Sequence, residues 1–491
     1  MKVYLSTLGC KLNESELESW ARRFANAGDQ VVDDPRDADI CVLNTCTVTH
    51  IAAHKSRQMA RQLARANPNA KIVLTGCFTD IAPGEAKALP NVALVVPNAD
   101  KDRLVALAGE LFGDARFQAT ETGCRLPEAT SGELQSTVNS QRSTDNRLWS
   151  ADGGELTSPV TRHSSLRTRA FVKIQDGCNM SCTYCIIPLA RGKERSRSRE
   201  EIVAEVKTLV AAGYKEIILT GVQISVYREP NLAKVEDPAF FSGGDNLRRV
   251  DGLRDLVTAI LAETDVPRLR LTSIAPWDLD ESLLDLWSDA RLCRHLHLSL
   301  QSGSDTVLRR MRRPYTTAQF ARVAALARER IPEVGITTDV IVGFPGESEV
   351  EFEQSLQFVE QMAFSRVHVF PYSARTGTIA AKLPLHVTDA VKESRAKQMQ
   401  AVGDASARAF ARRFIGKTVQ VLWENTVCSI QKSVVSRQLS TPATRHSPPV
   451  WSGYTDNYIR VAAASDADLH NQISSACVTN IEEDGVTAKL V

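Results

Sequence analysis

Ile174-Gln175-Asp176-Gly177-Cys178-Asn179-Met180-Ser181-Cys182-Thr183-Tyr184-Cys185-Ile186-Ile187-Pro188 sets three cysteines in a C-x3-C-x2-C run. The run directly follows a strand-like segment, Ala170–Gln175. Thiolates this close in sequence can wrap one side of a compact metal centre. Zinc and an iron–sulfur cubane are the two candidates. A structural zinc site takes four ligands, and no further Cys or His occurs within the next hundred residues. A cubane held by three cysteines keeps one iron open for a substrate or cofactor.

The chain has 491 residues, which suggests two to four domains. Lys and Arg number 59 against 58 Asp and Glu, so any nucleic-acid contact needs a local basic patch. No apolar run reaches eighteen residues, so no spanning helix and no membrane partner are expected. The first eight residues are too short for a signal peptide. Eleven cysteines, three of them clustered, suit a reducing cytoplasm and metal ligation better than a disulfide framework.

Upstream, residues 1–115 alternate strand and helix, which argues an open parallel α/β sheet. Lys2–Leu8 reads as a strand ending in Gly9-Cys10, followed by a helix with Asn13 as N-cap and Glu16 completing a capping box. Asp39–Leu43 ends in Asn44-Thr45-Cys46, and Lys71–Leu74 ends in Thr75-Gly76-Cys77. Cys10, Cys46 and Cys77 thus each fall just past the carboxyl end of a strand. In a parallel sheet those ends share the edge where ligands bind. The three are read as a second three-cysteine site; the rival is three unrelated core cysteines. Cys41, inside a strand, is read as core.

Residues 116–165 are rich in Ser, Thr, Asn, Gly and Glu and read as a disordered linker. Cys124 and Trp149 within it are given no role. Residues 166–412 hold six strand-like runs: Ala170–Gln175, Glu216–Thr220, Arg268–Thr272, His295–Leu300, Gly335–Val342 and Arg366–Phe370. Helical stretches separate them, so a parallel partial (β/α)6 barrel is expected, with its site at the carboxyl ends of the strands. The loops there carry Gly221, Gln223, Ser273 and Gln301. Glycine lets backbone approach a ligand, and Ser and Gln offer hydrogen bonds to a polar cofactor.

Beyond the cysteines, Arg191-Gly192-Lys193-Glu194-Arg195-Ser196-Arg197-Ser198-Arg199 is a dense basic run. Arg191, Arg195 and Arg197 are candidates for RNA phosphates; a solvated face is the rival reading. Residues 413–491 contain short β-rich runs, Lys417–Trp423, Tyr458–Val461, Cys477–Ile481 and Thr487–Val491, consistent with a small antiparallel barrel. Tyr454, Tyr458 and Arg460 could stack on bases and bind phosphate there; the rival is a structural cap. Tyr227–Arg249 and Ser429–Val450 read as polar insertions.

The cysteine run, with Tyr184 just before its last member, resembles the signature of radical S-adenosylmethionine (SAM) enzymes. Leu8-Gly9-Cys10-Lys11-Leu12-Asn13 and Asn44-Thr45-Cys46 resemble the N-terminal domain of the methylthiotransferases within that group. Leu300–Ser304, Met311–Thr316 and His368–Ser373 match the same pattern, and Gly453–Val461 resembles a TRAM domain. The resemblance implies two [4Fe-4S] clusters, one on Cys178, Cys182 and Cys185 and one on Cys10, Cys46 and Cys77. It implies SAM at the open iron near Tyr184, and no catalytic residues beyond the clusters. It also implies the anticodon stem-loop of tRNA, an electron donor and a sulfur source as partners.

Within the family, Leu8–Asn13 and Lys173–Gly177 look most like the branch that methylthiolates N6-threonylcarbamoyladenosine. The alternatives are branches acting on isopentenyl-adenosine in tRNA or on a ribosomal-protein aspartate, and a non-catalytic RNA-binding iron–sulfur protein. One departure is Ala275, where relatives of this branch usually have Glu in Ser-Ile-Glu-Pro.

Overall fold

The computed structural model describes residues 1–113, 168–230, 251–426 and 448–491. The expected linker, with Cys124 and Trp149, lies outside the described residues. So do Cys428 and most of the two expected insertions.

The N-terminal strands are β1 (Lys2–Thr7), β2 (Gln30–Val32), β3 (Ile40–Thr45), β4 (Lys71–Gly76) and β5 (Val92–Val96). They form one parallel sheet in the order β2-β1-β3-β4-β5. Alternate residues serve opposite faces. Val3, Leu5, Ile40, Val42 and Val73 pack with Leu17, Trp20 and Phe24 of α1 (Lys11–Asn26). Tyr4, Leu43, Ile72 and Leu74 pack with Met59 and Leu63 of α2 (His50–Ala66). Burial on both faces explains why these strands read as near-continuous apolar runs. Cys41 is in the core, as expected.

Helix α1 begins earlier than expected, with Cys10 rather than Asn13 at its N-cap. The Asn13 amide is used elsewhere. It donates to the carbonyls of Leu8 at 2.7 Å and Thr45 at 3.2 Å, tying together the loops after β1 and β3. A third loop leads into α3 (Cys77–Ile81).

The central strands are β6 (Arg169–Lys173), β9 (Glu216–Thr220), β10 (Arg268–Leu271), β11 (Ser273–Ile274), β12 (His295–Leu298), β13 (Gly335–Val342) and β14 (Arg366–Pro371). Between β6 and β9 a small pair intervenes, β7 (Gln175–Asp176) with β8 (Arg195–Ser196). The parallel orders β6-β9-β10 and β11-β12-β13-β14 make a partial barrel. Its core joins strand residues such as Val172, Leu219 and Val340 to helix residues such as Val206, Leu256 and Phe352.

Two neighbours close this barrel. The N-terminal domain spans its open side: Glu18 accepts the Phe171 N–H of β6 at 3.3 Å, and the His50 N–H donates to Ser373 Oγ beyond β14 at 3.2 Å. Below lies a closed barrel of β15 (Thr418–Thr426), β16 (Val450–Thr455), β17 (Arg460–Ala464), β18 (Ile473–Glu482) and β19 (Gly485–Leu490). Its pairings are antiparallel except β17 with β19. It docks against the amino ends of the central strands. Arg270, bonded to Glu216 at 2.7 and 3.0 Å, donates to the Asp456 carbonyl at 2.9 Å. Arg268 donates to the Tyr454 and Gln420 carbonyls at 3.0 and 2.9 Å.

Candidate active site between two cysteine trios

Cys178, Cys182 and Cys185 lie on the loop after β6 and β7, all half-buried. Gly177 makes the loop possible. Its φ is +70°, and a Cβ there would stand 2.0 Å from the Lys193 carbonyl oxygen. The Gln175 amide fixes the loop base, donating to the Gly177 carbonyl at 2.8 Å and accepting the Val222 and Gln223 N–H groups at 3.0 Å each. The loops after β6 and β9 are thereby one unit. Gln223 accepts from Cys178 Sγ at 3.8 Å and donates to Asp278 at 3.2 Å.

Arg313 was not singled out from sequence, yet it touches the trio. Its Nη1 donates to Cys182 Sγ at 3.3 Å, and its guanidinium lies over Trp277 and Tyr315 at 4.8 and 5.3 Å. Only its place in Met311-Arg312-Arg313-Pro314 hinted at a role.

Cys10, Cys46 and Cys77 converge at the carboxyl edge of the N-terminal sheet. Gly9, at φ +108°, comes so close that a Cβ would meet Cys46 Sγ at 2.8 Å. Burial, with Cys77 and Cys10 among the lesser causes, raises the Cys46 thiol to about 12. Cys185 is raised to about 12 in the same way, by burial and then by Cys182 and Cys178. Each trio is therefore close enough for its charges to oppose one another. Binding a metal must displace the thiol protons. Among the described residues no group of three or more His, Cys, Asp or Glu is drawn together tightly enough for a single metal ion. The donor set of each trio, three thiols and a glycine-lined approach, fits a cluster.

A cavity of about 220 Å3 borders Cys185, lined by Val48, Tyr184, Gln301, Asp339 and Tyr372 among others. Val48 is two residues past Cys46. Gln301 sits at φ +67°, and its N–H donates to the Asp339 carbonyl at 2.8 Å. A left-handed non-glycine residue at a cavity wall is strain of the kind found at functional sites. Ser273 is half-buried, and Gly221 packs against the Gln175 carbonyl. Ala275 is buried, its N–H directed at Ser225 Oγ at 3.4 Å.

Comparison with known proteins adds to this geometry. The family described as "Radical SAM superfamily" matches residues 172–359, and "Uncharacterized protein family UPF0004" matches residues 2–97. The threonylcarbamoyladenosine tRNA methylthiotransferase MtaB of Bacillus subtilis is 34% identical over 96% of this chain and 92% of its own. The protein of that name from Thermotoga maritima is 34% identical over 86% of each chain. The chain belongs to the radical SAM methylthiotransferases. Symbiobacterium thermophilum has a relative named tRNA-2-methylthio-N(6)-dimethylallyladenosine synthase, 31% identical over 97% of this chain and 92% of its own. Among solved structures, the radical SAM methyltransferase TsrM of Kitasatospora setae, with cobalamin and a [4Fe-4S] cluster bound, shares the fold. Its TM-score is 0.50 at 16% identity, over 75% of this chain and 74% of that one.

The methylthiotransferase places the residues expected to bind RNA unevenly. Arg191 is a correction: it is 3% exposed and cannot reach phosphate. It donates to Glu16 at 3.1 Å, Asp176 at 3.0 Å and Asn13 at 2.6 Å. Lys101 donates to the other Glu16 oxygen at 2.5 Å. The short helix Ile187–Arg191 turns this one arginine of the basic run inward. Arg195 has 46% of its side chain exposed and pairs with Asp176 at 3.1 Å. Arg197 pairs with Glu205 at 2.7 Å.

Tyr454 and Tyr458 are also corrected. Their rings stack 5.0 Å apart on the docking side of the C-terminal barrel, and Tyr458 stacks on His295 at 4.7 Å. Arg169 covers Tyr454 and Arg270 covers Tyr458, each at 4.9 Å. The faces offered to bases are spent on domain contact. Arg460 pairs with Asp484 at 2.8 Å and remains half-exposed.

Proposed function

We propose that this enzyme adds a methylthio group at C2 of N6-threonylcarbamoyladenosine beside the tRNA anticodon. The observation that carries the reading is the cavity walled both by Cys185 and by Val48, two residues past Cys46. The names of the B. subtilis and T. maritima relatives support the substrate. Two [4Fe-4S] clusters, one per trio, and SAM are the required cofactors; when bound they supply reductive SAM cleavage and sulfur delivery.

The protein's own work is holding and orienting. Gln175 locks the cysteine loop to the Gly221–Gln223 loop. Tyr184, Gly221, Gln223, Ser273 and Gln301 shape the SAM site. Arg313 sets a positive charge against Cys182. Arg195, Arg197 and Arg460 are the proposed phosphate contacts. An electron donor and a sulfur source are needed as partners. No helix among the described residues is long and apolar enough to cross a membrane, and a tRNA substrate puts the enzyme in the cytoplasm.

Nucleoside analysis of tRNA from cells lacking the protein tests the reading. Threonylcarbamoyladenosine should persist while its 2-methylthio form disappears. Loss of methylthiolated isopentenyl-adenosine, or of a ribosomal-protein modification, would transfer the assignment to that branch.

A further inference from the structure

We propose that Lys11 receives a carboxylate on the N6 substituent of the substrate adenosine and so decides which modified adenosine is accepted. The inference rests on the proposed substrate, threonylcarbamoyladenosine, and deepens it.

Lys11 follows Cys10 directly, opens α1 and is exposed. Its ammonium lies 5.9 Å from the centre of the Tyr458 ring, which stacks on His295 at the start of β12. No carboxylate pairs with it among the described residues. It is nonetheless near enough to Asp339 and His368 to act on both. Burial works against the Asp339 carboxylate, but His297, His368 and Lys11 hold it below its usual range. Burial, with Lys11 among the lesser causes, lowers His368 to about 4. Asp339 also lines the cavity with Cys185 and Gln301. Tyr458 stacks on His295, His295 and His297 share Thr337, and His297 bonds Asp339, so a line of polar contacts joins Lys11 to the cavity wall.

The walls of that space are polar and largely satisfied. His297 bonds Asp339 at 3.2 Å and Thr337 at 2.9 Å, and Thr337 bonds His295 at 3.0 Å. Arg270 is matched by Glu216. His295 and His368 are neutral at physiological pH, burial being the first cause for each. Lys11 is left with no carboxylate in contact among the described residues.

A threonylcarbamoyl group brings a carboxylate and a hydroxyl. The carboxylate answers Lys11 in a charge-assisted hydrogen bond, and the hydroxyl can donate to Asp339. A dimethylallyl group brings only carbon and would desolvate Lys11, Asp339 and His297 with no bond in return. Sites built around a polar partner reject analogues that lack it far more strongly than apolar pockets reject isosteres.

The test uses cluster-loaded enzyme and three anticodon stem-loops. One carries threonylcarbamoyladenosine, one its carboxamide analogue, and one dimethylallyladenosine. Affinity and kcat/KM for methylthiolation are both measured. The wild type should favour carboxylate over carboxamide by at least about tenfold. Lys11→Met should lose most of that ratio in affinity as well as rate, and Lys11→Arg should keep it. Iron content and melting temperature identify variants that are folded and loaded. If Lys11→Met does not load, the carboxylate-to-amide ratio of the wild type and of Lys11→Arg decides. A wild type blind to the amide, or a loaded Lys11→Met with the full ratio, overturns the role of Lys11 alone. A wild type that modifies only dimethylallyladenosine overturns the proposed substrate instead.

Discussion

Arg191 Nη2 donates to Asn13 Oδ1 at 2.6 Å, so the loop bearing Cys178, Cys182 and Cys185 and the turn bearing Cys10 share one buried bond. Glu16, Asp176 and Lys101 complete the network, all nearly inaccessible to water. The relative placement of the two trios depends on it.

Breaking this network should be costly. Arg191→Met leaves the Glu16 and Asp176 carboxylates short of a cation and should destabilise by about 3–5 kcal/mol. Arg195→Gln removes a half-exposed arginine and leaves the buried Asp176 paired with Arg191, so it should cost less, about 1 kcal/mol. Urea melts of both variants check the contrast. The same network predicts the response to acid. Burial opposes ionisation of Glu16, but Lys101, Arg191 and Lys173 hold its carboxyl well below the usual range. Its contribution is complete above the unfolded value of about 4.3 and is lost as pH falls through the lower folded value. Wild-type stability should therefore decline below about pH 4, and Arg191→Met should show a weaker decline.

Two glycines isolate the effect of crowding at the cysteine loop. Gly177 and Gly192 both have positive φ, but a Cβ at Gly177 meets the Lys193 carbonyl at 2.0 Å while one at Gly192 meets nothing within 4 Å. Gly192→Ala should cost about 1 kcal/mol of backbone strain. Gly177→Ala should also lose about half the bound iron. Iron assay beside melting curves reads both effects.

Arg313 should not be replaceable by lysine. Its plane lies over Trp277 and Tyr315 while one nitrogen meets Cys182. An ammonium cannot stack and fork in this way. Arg313→Lys and Arg313→Met should both slow substrate-free SAM cleavage by about tenfold or more, the loss of one charge-assisted bond. Cleavage at the wild-type rate in Arg313→Lys would contradict this.

Salt dependence separates the arginines of the basic run. Arg195→Gln should flatten the slope of log affinity for tRNA against log salt by about one phosphate's worth. The buried Arg191 should contribute nothing to that slope, which a folded variant such as Arg191→Lys can report.

The central barrel was legible because each strand run is bounded by turn residues and separated by a helix, and its strands fall within a residue or two of the expected ones. The N-terminal cysteines were legible from their place after strands. β2 escaped notice because its three residues are too few to show a period, while β5 was passed over although Val92–Val96 is an apolar run. β16 was not distinguished as a strand, since the segment before it reads as a polar loop. The errors at Arg191, Tyr454 and Tyr458 share a cause. Composition says that a group is cationic or aromatic, but not which way a short helix or a docked barrel turns it. Arg313 was missed because its partner Cys182 is 131 residues away in sequence.

The C-terminal barrel, clamped by Arg268 and Arg270, has one more effect. It covers the amino ends of β9 and β10. Substrate and SAM should then share one approach, at the carboxyl ends of the strands where Cys185 lies. Tight tRNA binding should then delay departure of spent SAM fragments as effectively as slow chemistry would.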